Sequence, residues 1–134
     1  MTLNIRVITP DRTIWDAQAE EAILPSSTGQ LGILKDHAPL LTALDIGVMR
    51  VRIDKEWTPI VLMGGFAEVE KNQVTILVNG AEEASSINLE SAEKDLEKAI
   101  ENLDIAQTNK EKIDAAQSLR KARARVQAAK ALKG

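Results

Sequence analysis

All four prolines (Pro10, Pro25, Pro39, Pro59), six of the seven glycines and all three aromatics (Trp15, Trp57, Phe66) fall in the first 86 residues of this 134-residue chain. Past residue 86 there is no proline, the only glycine is the terminal Gly134, and ten of 48 residues are alanine. Proline and glycine punctuate turns, while alanine is the best helix former, so the break separates a sheet-and-turn segment from a helical one. The length accommodates one medium domain, or a small domain with an appendage. The division expected is residues 1–86 and residues 87–134.

Within the first segment the alternation of apolar and polar residues marks strands. Leu3, Ile5 and Val7 alternate with Asn4 and Arg6 up to Pro10-Asp11. Residues 17–24 continue extended as far as Pro25-Ser26-Ser27. Met49, Val51 and Ile53 share one face opposite Arg50 and Arg52, the pattern of a half-buried strand. Residues 57–63, 66–70 and 74–78 follow, the last two joined at Lys71-Asn72-Gln73, with a further turn at Asn79-Gly80. Short strands without intervening helices predict an antiparallel sandwich or barrel of about 85 residues.

From Leu89 the period becomes helical: Leu89, Ala92, Leu96, Ala99, Ile100, Leu103 and Ala106 recur every three or four residues. Asn88 is the expected N-cap, and Thr108 followed by Glu111 fits a capping box opening a second helix. There Ala115, Leu119, Ala122, Val126 and Ala129 form a seam that ends at Lys133. A short connection makes the two helices an antiparallel hairpin. At ~0.8 kcal/mol per buried methylene, a seam so rich in alanine binds far less tightly than one of leucine, which makes the hairpin a candidate two-state element.

The net charge of −3 hides a segregation. Residues 1–86 carry −5, residues 87–104 carry −4 and residues 105–134 carry +6. After Asp114 no acidic side chain remains, while Arg120, Lys121, Arg123, Arg125, Lys130 and Lys133 follow, so the second helix favours an anionic partner. Nucleic acid is disfavoured as that partner because no aromatic stands among these cations to stack on bases.

Catalytic chemistry finds little to work with. There is no cysteine and one histidine, which removes disulfides, thiolate zinc sites, thiol nucleophiles and most transition-metal ligation. His37 beside Asp36 lacks a Gly-x-Ser-x-Gly elbow and reads as a loop histidine. Gly29-Gln30-Leu31-Gly32 and Gly64-Gly65 are not phosphate-binding loops and read as turns or bulges. Glu20-Glu21 and Glu82-Glu83 are neighbours that point to opposite strand faces, so neither pair is a general acid and base. No apolar run approaches the roughly 18 residues of a membrane helix, and the N-terminus lacks a signal-peptide layout, so the chain is expected to stay in the compartment where it is made.

Five stretches, in order along the chain, resemble the epsilon subunit of rotary proton-translocating ATP synthases, and most of all its photosynthetic branch. They are MTLNIRVITPDRTIWD (1–16), LPSSTGQLGILKDHAPLL (24–41), DIGVMRVR (45–52), LMGGFAEV (62–69) and VTILVNGAE (74–82). The resemblance implies a ten-stranded β-sandwich followed by an αα hairpin, in a non-catalytic rotor subunit without cofactor or metal. The sandwich is then expected to bind the gamma subunit and the c-ring, with Gln30 and His37 at c-ring positions; some relatives carry glutamate where Gln30 stands. The hairpin is expected to inhibit ATP hydrolysis when extended, with Arg120, Lys121, Arg123 and Arg125 available to an acidic stretch of the catalytic beta subunit. Some bacterial members bind ATP through Ile/Leu-Asp-x-x-Arg-Ala; here Ile87-Asn88-Leu89-Glu90-Ser91-Ala92 lacks both the aspartate and the arginine, so no ATP binding is expected. The implied location is peripheral, on the cytoplasmic or stromal face of the thylakoid membrane. A free-standing helical adaptor or nucleic-acid-binding module is the competing reading.

Overall fold

A computed structural model describes residues 2–133. Met1 and Gly134, the ends of the two expected units, lie outside the described residues, and so does the side chain of Lys133 at the end of the expected seam. In chain order the elements are strands β1 (Leu3–Ile8), β2 (Thr13–Ala19), β3 (Glu21–Ser26), β4 (Gly29–Leu34), β5 (Leu40–Ile53), β6 (Glu56–Glu70), β7 (Gln73–Val78) and β8 (Ala81–Glu83), a single 3-10 turn at Ala84–Ser86, and helices α1 (Leu89–Ile105) and α2 (Asn109–Lys133).

The strands follow one hydrogen-bonded path, β2-β1-β7-β6-β5-β3-β4, with β8 on the free side of β6. Leu3, Ile5 and Val7 near one end of that path share a single core with Ala22, Leu24 and Ile33 near the other, so the sheet folds back on itself as a sandwich. The long strands β5 and β6 make the fold-back. Their outer halves, Leu40–Leu44 against Gly65–Val69, belong with β7, β1 and β2, while Ile46–Ile53 against Glu56–Met63 belong with β3, β4 and β8. Between the halves the register skips Asp45 and Gly64.

Glycine is required at that corner. Gly64 has φ +89°, and a Cβ on Gly65 would run into the Leu77 carbonyl and lie 2.8 Å from Val78 Cα. The β5–β6 register is the same on both sides of Gly64-Gly65, so the pair makes a bend and not a bulge, and residues 57–63 and 66–70, expected as two strands, are one bent strand. Eight strands are described where ten are expected; counting β5 and β6 once in each layer restores the number.

Two further expectations change. Residues 17–24 are two strands, because Glu20 turns the chain from one layer to the other: its N–H donates to the Arg52 carbonyl (2.8 Å) and its carboxylate accepts from Arg52 Nη1 (2.9 Å) and the Lys55 N–H (3.1 Å). The pairing is not wholly antiparallel, since β7 returns to the open edge of β1 in the parallel sense, Ile5 opposite Val74. The β5–β6 and β6–β7 hairpins close through Asp54-Lys55 and Lys71-Asn72, all four residues at positive φ, as two-residue loops demand.

Helix ends form as the sequence predicts. Asn88 Oδ1 accepts from the Ser91 N–H (2.9 Å) at the start of α1. At α2, Thr108 Oγ1 accepts from the Glu111 N–H (3.1 Å), and the Glu111 carboxylate reaches back to the Gln107 N–H (3.2 Å), one residue upstream of an ideal capping box. The helices run antiparallel, Asp95 facing the Arg125 end and Asn102 the Ser118 end of one crevice.

Candidate functional site

Helix α2 has two apolar stripes. Ala122, Val126 and Ala129 continue the seam read from the sequence, and Ala99 of α1 is buried in the same hairpin. Ala124 and Ala128, four residues apart and offset from that seam, belong with Ala129 to a cluster that includes Val61 of β6, Ala84 and Ile87, flanked by Ile46, Val48 and Met63. The hairpin therefore lies against the outer face of the layer holding β8, and α2 makes most of the contact with it. Sequence reading missed this second stripe. Its signal was present in the i, i+4 spacing of Ala124 and Ala128 on an otherwise charged helix.

Arg125 sits between the stripes. Its Nε donates to Glu82 Oε1 (2.8 Å), Nη2 donates to Glu82 Oε2 (3.3 Å), and Nη1 donates to Asp95 Oδ2 (3.2 Å). The hydrogen bonds that Arg125 donates to Glu82 raise its pKa above the ordinary value; burial opposes them, and the charges of Glu82 and Asp95 reinforce them. Neither carboxylate was a predicted site residue.

The other three predicted cations behave differently. Arg120, Lys121 and Arg123 are exposed and make no ion pair among the described residues. Lys121 lines the interhelical crevice with Lys98 and Arg125, where Asp95 is the carboxylate that faces them. The four residues share a helix, but the structure divides them into one engaged cation and three free ones.

Gln30 and His37 lie apart in their bonding. Gln30 is exposed in β4, and its Oε1 accepts from Arg50 Nη2 (3.3 Å). Half-buried His37 is in the β4–β5 loop, its Nδ1 donating to the Ala38 carbonyl (2.8 Å), and no serine or carboxylate among the described residues hydrogen-bonds to its ring. That loop is pinned to the β6–β7 turn: the Asp36 N–H donates to Asn72 Oδ1 (2.6 Å) and Asn72 Nδ2 returns to Asp36 Oδ1 (3.3 Å). Asn88, in the stretch compared with nucleotide-binding relatives, spends its side-chain oxygen on the helix cap.

One surface was not foreseen. Leu41 (70% exposed), Phe66 (56%) and Leu77 (51%) stand together on the outer face of β5, β6 and β7, Phe66 directly opposite Leu77. Apolar residues on the solvent side of a strand break the alternation that led to the strand assignment, and a cluster of them marks a protein contact. Leu40-Leu41 and Ile76-Leu77-Val78, runs without a polar partner, carried the signal.

A sandwich with an exposed apolar face and a basic helical arm packed against it by small side chains has the architecture of a protein-binding subunit. Comparison with known proteins agrees. Residues 2–84 match the family described as ATP synthase, Delta/Epsilon chain, beta-sandwich domain, and residues 85–130 match its long alpha-helix domain. The chain belongs to the ATP synthase delta/epsilon chain family. It is 75% identical over 131 residues to the chloroplastic ATP synthase epsilon chain of Pyropia yezoensis, covering 98% of each chain. It is 59% identical over 132 residues to the ATP synthase epsilon chain of Thermosynechococcus vestitus, covering 96% of each. Among solved structures, a chain of the Euglena gracilis mitochondrial ATP synthase OSCP/F1/c-ring assembly superposes with a TM-score of 0.82 at 20% identity, over 99% of this chain and 82% of that one, a likeness of fold.

Proposed function

We propose that this chain is a non-catalytic central-stalk subunit of a photosynthetic ATP synthase, which couples rotation of the c-ring to the catalytic head and restrains ATP hydrolysis through its helical hairpin. In this reading residues 1–86 bind the gamma subunit and the c-ring, and residues 87–134 regulate. The whole acts as a peripheral protein on the cytoplasmic or stromal face of the thylakoid membrane; no helix among the described residues is long and apolar enough to cross it.

The observation that carries the regulatory part is the composition of α2: alanines toward the sandwich, and Arg120, Lys121 and Arg123 toward solvent without ion-pair partners among the described residues. A helix docked by small side chains leaves at low cost, and its free cations suit the acidic stretch of a catalytic beta subunit. The Leu41, Phe66 and Leu77 face supports a permanent protein contact, with gamma as its occupant. Gln30 and His37 are assigned to the c-ring, where the exposed amide of Gln30 offers hydrogen bonds but no charge.

The test is reconstitution with gamma and the catalytic hexamer. Deleting residues 88–134 is expected to leave assembly intact and to raise ATP hydrolysis several-fold. Unchanged hydrolysis removes the inhibitory role.

A further inference from the structure

Undocking of α2 requires that its polar attachment to the rest of the chain break, and among the described residues one side chain makes that attachment. Arg125 grips both oxygens of Glu82, on the last strand of the sandwich, and reaches Asp95 on α1 with its remaining amino group. Three bodies, the sandwich and the two helices, thus converge on one guanidinium. The Arg125 and Glu82 side chains are 27% and 32% exposed, whereas Asp95 is 61% exposed, so the Glu82 pairing is the better shielded and the stronger of the two.

We propose that Arg125 is a latch: Glu82 and Asp95 hold the hairpin docked through it, and its guanidinium becomes available to an acidic surface of a partner protein only when the hairpin opens. The availability clause rests on the regulatory reading above. The physical reason is competition. The two-pronged face of the guanidinium, the face a partner carboxylate would use, is occupied by Glu82 while α2 is docked. Arg120 and Arg123, which are exposed, make the first encounter, and Arg125 is transferred last. The interhelical crevice adds a push, because Lys98, Lys121 and Arg125 meet only Asp95 there among the lining residues. Without Glu82 and Asp95 those like charges favour separation of the elements.

The chain has no cysteine, so a dye pair on cysteines introduced at exposed Glu56 and Lys130 reports docking in the otherwise intact protein. Glu82→Gln and Arg125→Ala are each expected to increase the undocked fraction by about three- to tenfold at low salt, the range of a charge-assisted bidentate contact at a partly exposed site. Raising the ionic strength should narrow the difference from the parent chain. The charge swap Glu82→Arg with Arg125→Glu, made together with Asp95→Asn so that the new carboxylate on α2 faces no like charge, is expected to restore docking to the level of Asp95→Asn alone. In the reconstituted complex the two single variants should then part company: Glu82→Gln deepens inhibition of hydrolysis, while Arg125→Ala weakens it although its hairpin is freer. Asp95→Asn, on an exposed helix position, gives a smaller effect in the sense of Glu82→Gln and serves if the β8 variant folds poorly. Undocked fractions that do not respond to Glu82→Gln or Asp95→Asn, or a swap that fails to restore docking, overturn the latch. Docking that responds while hydrolysis stays the same in every variant overturns the hand-over to a partner and, with it, the inhibitory reading, and leaves the latch in place.

Discussion

The sandwich interior buries Leu3, Ile5, Leu24, Ile33, Met49, Ile60, Leu62 and Ile76 completely, whereas the contact between α2 and the sandwich buries Ala124, Ala128 and Ala129 against Val61, Ala84 and Ile87. Both are dry hydrophobic contacts in one small chain, yet they differ by several methylenes per residue. At ~0.8 kcal/mol per methylene, a leucine contributes what about four of the hairpin's alanines do. The sandwich is therefore expected to stay folded under conditions that free the hairpin, and directional ion pairs such as Arg125 with Glu82 weigh more in the second contact than in the first. Weak apolar docking combined with one strong polar point is a design for reversible attachment.

That contrast can be broken most forcefully from the sandwich side. Leu24→Ala, at a position with no solvent exposure, is expected to destabilise the whole chain by about 2–5 kcal/mol, read as a lowered midpoint in chemical denaturation. A loss confined to the hairpin would contradict the separation of the two cores.

A smaller and more selective effect comes from Ala128→Leu, which adds three carbons where α2 meets the sandwich with no free space at its surface. Overpacking there is expected to cost about 1–3 kcal/mol of docking, visible as faster hydrogen exchange along α2 with unchanged protection in β1 and β7. Equal acceleration in both regions would show that hairpin and sandwich open together.

The smallest effect is an expected absence of change. Because the Arg125 pKa is raised in the docked state, its contribution is complete below the ordinary arginine value and fades only as pH climbs through the higher, docked value. Both lie far above the working range, so from about pH 7.5 to about pH 9 docking through Arg125 should stay flat. A steep change in dye-pair signal over that interval would assign the switch to another titrating group.

Much of this architecture was legible before any coordinates. The alternation of Leu3, Ile5 and Val7, the caps at Asn88 and Thr108 and the turn at Lys71-Asn72 are local signals, and each formed where the residues indicate. Gly64-Gly65 reads in sequence as a turn or bulge and not as the corner on which one strand serves two layers, because its clash partner is the Leu77 backbone, contributed by the next strand. The parallel return of β7 beside β1 joins residues about seventy positions apart, and periodicity is silent about such pairings.

The candidate site divides in the same way. Sequence by itself determined that α2 is basic, alanine-rich and antiparallel to an acidic neighbour, since helical period and charge are properties of consecutive residues. Only the tertiary structure decided that Ala124 and Ala128 face the sandwich, that Arg125 is bound while Arg120 and Arg123 are free, and that Glu82, 43 residues away, is the group binding it. A helix wheel fixes which side chains share a face. What that face meets depends on where the chain comes to rest, and that is set by the packing of the whole molecule.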